Sequence, residues 1–308
     1  MIEGQEGVSW PEWVALARTC EEHGIPGLFR SDHQLNLGDH PERGSLDAWA
    51  TIAALGAVTS TLRLGTLVSP VTFRHPSALA KLVTAADQVS GGRVEVGLGA
   101  GWHDREHAAY GFPYPPLGAR MDMLSEQLQV LHGHWGDEPF TLHGEHYTLE
   151  ALRAEPKAVQ RPHPPVLMGG AAGPRAARLA ARYADEYNTV NATVEEVRER
   201  MGKIAAACEA AGRPPLPFSV MTGYVVGADR DALRERAARL AERAGTPADV
   251  DELRESLPGW IVGTVEEAAD QLRALRDAGV HRVMLQHLLH TELDAVELIG
   301  RELAPAVA

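Results

Sequence analysis

Cysteine is almost absent from this chain, with two residues in 308, Cys20 and Cys208. Each falls at an apolar position of a helical pattern. A disulfide framework is therefore excluded, and both are read as small core residues. Cationic residues are the minority, 29 Lys and Arg against 42 Asp and Glu, for a formal net charge of −13. A nucleic-acid partner needs a basic face to neutralise phosphate, so that class of function is excluded. No run approaches the ~20 apolar residues of a membrane span. No basic start followed by an apolar run marks a signal peptide, so the expected compartment is the cytoplasm. Internal repeats, low-complexity tracts, a P-loop and a G-x-S-x-G elbow are also missing.

What the chain does have is 44% hydrophobic residues, enough for a substantial core, in a regular alternation. Helical periodicity runs through 10–23 (Trp13, Leu16, Ala17, Cys20) and 75–90 (Leu79, Leu82, Val83, Ala86, Val89). It recurs in 193–211 (Val194, Val197, Met201, Ile204, Ala205, Cys208) and 264–278 (Ala268, Leu272, Leu275). Thr264 and Glu267 have the capping-box spacing at the start of the last of these. Between helices lie short apolar runs at 27–30, 62–68, 93–99, 165–170, 185–190, 218–226 and 281–286. Several are apolar on both faces, as buried parallel strands are.

Seven such strands with helices between them need one more to close a (β/α)₈ TIM barrel. The missing strand is the first, because only Met1-Ile2-Glu3 precedes the loop GQEGVSW. A stunted first strand, or a start methionine inside a longer natural one, predicts an exposed edge on the last strand. Residues 133–164 break the alternation and read as a hairpin and Pro-rich return inserted before strand five of a single barrel domain spanning 1–308.

A parallel barrel gathers the C-terminal ends of its strands at one rim, where the active site lies. That explains why the buried run Leu28-Phe29 is followed by Arg30, Ser31, Asp32 and His33. Other strands end in SPVTFRHP, GLGAGWHDRE and GGAAGPR, near Asn188, and at Gln286-His287. GGAAGPR precedes a helix, so its amides are expected to face a phosphate, with Arg175, Arg178 and Arg182 along one helical face beyond it. GLGAGW fails as a dinucleotide fingerprint, since Trp102 replaces the third glycine; its glycines instead let a flat ring approach the backbone. His103 and His107, and His287 and His290, have metal-compatible spacing, but H-E-x-x-H is absent and no third ligand is fixed, so no metal is expected. His33, beside an aspartate at the rim, is expected to act as a general acid or base.

FRSDHQL, LRLGTLVSPVTFRHPSALAK, SGGRVEVGLGAGWHDREHAAYGFPYPP and PVLMGGAAGPRAARLAARYAD together resemble the bacterial-luciferase-like superfamily, in its branch of coenzyme F420-dependent oxidoreductases. The resemblance covers nearly the whole chain, in order. It implies a (β/α)₈ barrel, commonly homodimeric, with a deazaflavin or FMN at the C-terminal rim and a small-molecule substrate. By position it implies a non-prolyl cis peptide at Leu67-Val68 behind the central ring, and Asp32 beside the ring. Ala100, Gly101 and Trp102 would flank it, and Gly169, Gly170, Ala171 and Arg175 would take its phosphate. His33 would handle the proton, and Glu6, Asn188 and Gln286 would face the substrate.

Family members that oxidise a sugar phosphate carry a glutamate where this chain has Trp102, a departure that counts against that alcohol oxidation. The expected activity is hydride transfer between F420 and a small organic substrate. The alternative is an FMN-dependent monooxygenase using dioxygen and a partner reductase. A non-catalytic cofactor store would not need the ionisable set Glu6, Asp32 and His33.

Overall fold

The computed structural model describes residues 1–38 and 40–307. Strands β1 (Gly27–Arg30), β2 (Arg63–Thr66), β3 (Ser69–Pro70), β4 (Val94–Gly99), β5 (Phe140–His143) and β6 (Thr148–Leu152) come first. β7 (Val166–Gly169), β8 (Glu186–Val190), β9 (Phe218–Gly227), β10 (Ile261–Thr264) and β11 (Arg282–Gln286) follow. The main sheet runs β1-β2-β4-β7-β8-β9-β10, with β11 also on β9 and β3 on β4, and every one of these pairings is parallel. Each run expected from hydrophobicity has become a strand, shortened where glycine or a loop intervenes. This is the expected TIM barrel.

The barrel closes through the first two residues. Ile2 N donates to Phe29 O (2.9 Å) and Ser31 N to Ile2 O (3.1 Å) on one side. On the other, the Met1 amine donates to Leu285 O (2.8 Å) and His287 N to Met1 O (2.8 Å). Met1 thus meets only the end of β11, at Leu285 and His287, and Val283 before it is half-buried beside a cavity, so the expected edge on the last strand is found in part. Leu28 and Phe29 are buried, and an apolar cavity of about 290 Å³ lies below Ile2, walled by Leu16, Val296, Leu303 and the C-terminal turns.

Strand β10 was not legible in the sequence as a strand. Its four residues include a glycine and run directly into the Thr264 cap, where Thr264 N donates to Glu267 Oε2 at 3.0 Å. It pairs with the second half of β9, whose first half holds β11, so one long strand serves two partners.

Helices at Trp10–Glu22, Pro76–Ser90, Val194–Ala210 and Val265–Asp277 match the predicted periodicities. Their buried stripes hold Trp13, Leu16, Val83, Ala86, Val197, Ile204 and Leu275. Leu82 and Val89 are corrections: both are exposed, because the face of that helix against the core is narrower than five apolar residues. Residues 133–164 do contain a hairpin, β5 on β6, and its turn is held by Glu126, which accepts from the amides of Glu145, His146 and Tyr147.

Both cysteines are buried and unpaired. Among the described residues no helix is long and apolar enough to cross a membrane.

Candidate active site

The C-terminal ends of the strands surround a cavity of about 500 Å³. Between β2 and β3 the chain bulges inward at Leu67 and Val68, and the peptide joining them is cis. Gly99, Ala100, Gly101 and Trp102 form the wall after β4. Gly169 and Gly170 close the side after β7, with Asn188 from β8 and Gln286 from β11. His33 enters from the loop after β1. His33 and the Gly169-Gly170 segment therefore share one mouth, as the rim argument required.

The glycines keep this wall flat. A Cβ on Gly99 would come within 2.8 Å of Val68 Cγ2, so a side chain there would displace the bulge. Gly101 has φ +79°, a conformation that side chains disfavour, and a Cβ would meet Pro70 at 3.2 Å. Gly99 thus packs directly on Val68, and its missing side chain is what leaves room for the bulge beside the cavity.

Strand alternation divides the polar cluster after β1 into two sets. Ser31 and His33 face the cavity, while Arg30 and Asp32 do not. Arg30 is buried under the following loop, donating to Thr51 Oγ1 (2.8 Å) and Leu46 O (2.9 Å). Asp32 is a correction to the expected ring contact. Its Oδ2 accepts from Ser69 Oγ (2.5 Å) and Arg74 Nη1 (2.6 Å), so it fastens the bulge from behind.

His33 is held by a residue that the sequence reading did not single out. Glu106, fully buried in the helix Asp104–Tyr110, places Oε2 2.8 Å from His33 Nδ1. Its Oε1 accepts from the amides of Leu35 (2.9 Å) and Gln34. Burial alone would lower the His33 pKa, but the hydrogen bond and charge of Glu106 outweigh it and raise it above the usual histidine range. Burial likewise pushes the Glu106 carboxyl up, and His33 with the two amides more than offsets this, so Glu106 lies below the usual carboxylate range.

His103 lies on the other side of the same carboxylate, Nδ1 3.7 Å from Oε2, with no hydrogen-bond partner. Burial first, and then the nearby His33, lower its pKa. Ligand atoms of His33, His103 and Glu106 lie within 4.8 Å of one another. Both Glu106 oxygens already accept N–H donors, so the trio is better described as a hydrogen-bonded proton pair than as a cation cage. Trp102, 61% exposed, stacks on His103 (5.1 Å between centroids) and meets the His33 ring edge-on at 5.6 Å.

The expected phosphate loop is only partly available. Gly170 N donates to Asn188 O (3.0 Å) and Ala172 N to Tyr187 Oη (3.0 Å). Ala171 is exposed but does not line the cavity. Pro174 opens the helix Pro174–Tyr183 without an amide, so the first-turn N–H groups there belong to Arg175 and Ala176. The Arg175 guanidinium is a second correction: it turns away, to Gly118 O (3.1 Å) and the Asp122 carboxylate. Arg178 and Arg182 are exposed, the solvated face of an ordinary helix.

Glu6 is displaced as well. It pairs with Arg43 at 2.8 Å and lines a second cavity of about 650 Å³. The two cavities share Glu3, Leu37, Asn191 and Gln286, so the second opens beside the first. The carboxylate at the shared wall is Glu3, which accepts from Gln286 Nε2 (2.5 Å) and Gln5 Nε2 (2.7 Å). Asn188 donates to Ser219 Oγ at 2.8 Å, which fixes its amide.

Residues 2–282 match the luciferase-like monooxygenase family model. An uncharacterized Mycobacterium tuberculosis protein is 33% identical over 244 residues, 74% of this chain and 83% of that protein. A Pseudomonas putida FMNH(2)-dependent dimethylsulfone monooxygenase is 28% identical, covering 82% of this chain and 76% of its own length. An F420-dependent glucose-6-phosphate dehydrogenase of Nakamurella multipartita is also 28% identical, over 96% of this chain and 91% of that enzyme. Among solved structures, an F420-dependent secondary alcohol dehydrogenase in complex with an F420-acetone adduct superposes with a TM-score of 0.81 at 24% identity, covering 100% of this chain and 98% of that one. Relatives thus include both F420-dependent oxidoreductases and FMNH2-dependent monooxygenases.

Proposed function

The chain belongs to the luciferase-like monooxygenase family, and from that premise we propose that it transfers a hydride between coenzyme F420 and a small organic substrate. The observation that carries this reading is the His33–Glu106 pair on the wall of a cavity whose other faces are a peptide bulge and a run of glycines. A proton donor beside a slot for a flat ring is what a paired hydride and proton transfer requires.

Leu67 and Val68 would support one face of the deazaflavin, Gly99 to Gly101 would flank it, and the Arg175 and Ala176 amides would receive its phosphate. When bound, that cofactor supplies the carbon that gives or takes the hydride. The protein supplies position and the proton. His33 keeps one proton on Nδ1 against Glu106, and Nε2 remains for the substrate atom that gains or loses its proton. Trp102 covers the mouth and limits water. The second cavity, beyond Gln286, gives a substrate room to extend away from the ring.

The FMN reading uses the same cavity and is favoured by the dimethylsulfone monooxygenase relative. The raised His33 pKa supports the F420 reading, because it favours the protonated imidazole that can donate. Anaerobic mixing of the purified protein with reduced F420 and a panel of carbonyl and activated-alkene acceptors tests the choice. F420 reoxidation without dioxygen is expected. His33→Ala should bind the cofactor yet lose about 100-fold or more in turnover. Turnover that demands FMNH2 and dioxygen would establish the alternative.

A further inference from the structure

We infer that Glu106 is the positioning residue of the reaction, fixing His33 in the orientation and tautomer that make Nε2–H the transferable proton. Its catalytic arm rests on the proposed function; its structural arm does not.

The geometry carries the inference. Glu106 comes from the loop-and-helix segment after β4, 73 residues from His33, and is fully buried. One oxygen anchors the backbone of the residues following His33, through the amides of Gln34 and Leu35. The other accepts from the His33 ring at 2.8 Å. One carboxylate thus fixes both the loop and the side chain it carries. A carboxylate facing Nδ1 obliges that nitrogen to bear its hydrogen, so the titrating proton is the one on Nε2. The logic is that of the aspartate in a catalytic triad, which orients a histidine and stabilises its charged form without exchanging protons itself.

The other groups facing His33 are consistent with this assignment. His103 lies against its ring at 5.8 Å between centroids, and Trp102 at 5.6 Å. Glu3 and Asp32 add weaker, more distant negative charge. Among the described residues only Glu106 hydrogen-bonds the ring, at Nδ1. In the step itself the Nε2–H bond breaks and the substrate atom gains the proton. His33 becomes a neutral imidazole still bonded to Glu106 through Nδ1–H, and a solvent proton later restores its charge.

The experiment has two readouts. The first is ¹⁵N NMR titration of the His33 ring in the purified protein without substrate. Wild type should titrate above the ordinary histidine value with the proton retained on Nδ1. In Glu106→Gln the midpoint should move to lower pH and the tautomer should become mixed, while the exposed-site control Asp104→Asn should leave both unchanged. The second is the pH profile of kcat. Its basic limb should shift to lower pH in Glu106→Gln, with kcat falling about 10-fold or more, and Glu106→Asp should recover part of the shift. Should Glu106→Gln not fold, Glu106→Asp alone must show an intermediate midpoint. An unchanged His33 midpoint and tautomer in a folded Glu106 variant overturns the inference. A shifted midpoint with an unshifted kcat limb leaves the positioning intact and removes His33 from the chemistry.

Discussion

Arg282 reaches Glu95 across the barrel floor, Nη2 to Oε2 2.8 Å, from strands that are not neighbours in the sheet. Arg282 also pairs with Glu186 at 2.6 Å, and Arg63 bonds the Glu95 carboxylate from the remaining side. Four strands therefore meet in one interior ion cluster at the end of the barrel opposite the active site. Removing the central cation leaves two buried carboxylates without their main partner. Arg282→Met should destabilise the fold by about 3 kcal/mol or more. Urea denaturation should show a lower midpoint with an unchanged slope, while the cofactor site in the folded fraction stays intact.

The His33–Glu106 pair predicts a bounded pH window of stability. His33 has a raised folded pKa, so its contribution is complete below the unfolded value and is lost as pH rises through the folded one. Glu106 has a depressed folded pKa, so its contribution is present above the unfolded value and lost as pH falls through the folded one. The pair therefore stabilises most between the ordinary carboxylate and histidine ranges. Denaturation midpoints of wild type and His33→Asn, measured across pH, should diverge there and converge on both sides.

His287 acts only on the acid side. Burial lowers its pKa to about 3, and its Nδ1 lies 2.7 Å from Tyr224 Oη. A base whose folded pKa is depressed binds protons preferentially when unfolded, so it reduces stability as pH falls from its unfolded value toward the folded one. His287→Gln should flatten the decline in thermal midpoint on acidification below about pH 6. A decline as steep as that of wild type would show that other groups govern acid unfolding.

Gly99 is where a single methyl group should separate binding from folding. A Cβ there meets the Val68 side chain at 2.8 Å, whereas a Cβ on Gly97 meets the Thr66 backbone oxygen at 2.2 Å. Gly99→Ala should therefore weaken cofactor binding about tenfold with a near-normal thermal midpoint, by pushing the bulge into the slot. Gly97→Ala should impair folding itself. Calorimetric titration of both variants, alongside their melting curves, checks the contrast.

The barrel was legible because its strands are short apolar runs at regular intervals, each ending in glycine or polar residues. The site was legible to the extent that residues at strand ends share one rim; His33, Val68, Trp102, Gly170 and Gln286 all reach the cavity. Asp32 was misplaced because four consecutive polar residues were read as one cluster, although extended backbone sends alternate residues to opposite faces. Glu106 was missed because its partner lies 73 residues away and no local spacing encodes that contact. The three-residue step from His103 was the one available signal, since it puts both on one helical face. Arg175 kept its place at the helix start, but a side chain that long is directed by its neighbour Asp122, which sequence order does not reveal.

Equilibrium fluorescence titration of the purified protein with oxidised F420, and separately with FMN, tests the central claim most directly. Saturable F420 binding in the micromolar range or tighter, weakened about tenfold or more by Gly99→Ala and little changed by His33→Ala, is the predicted result. Saturable binding of FMN with no detectable affinity for F420 would contradict it.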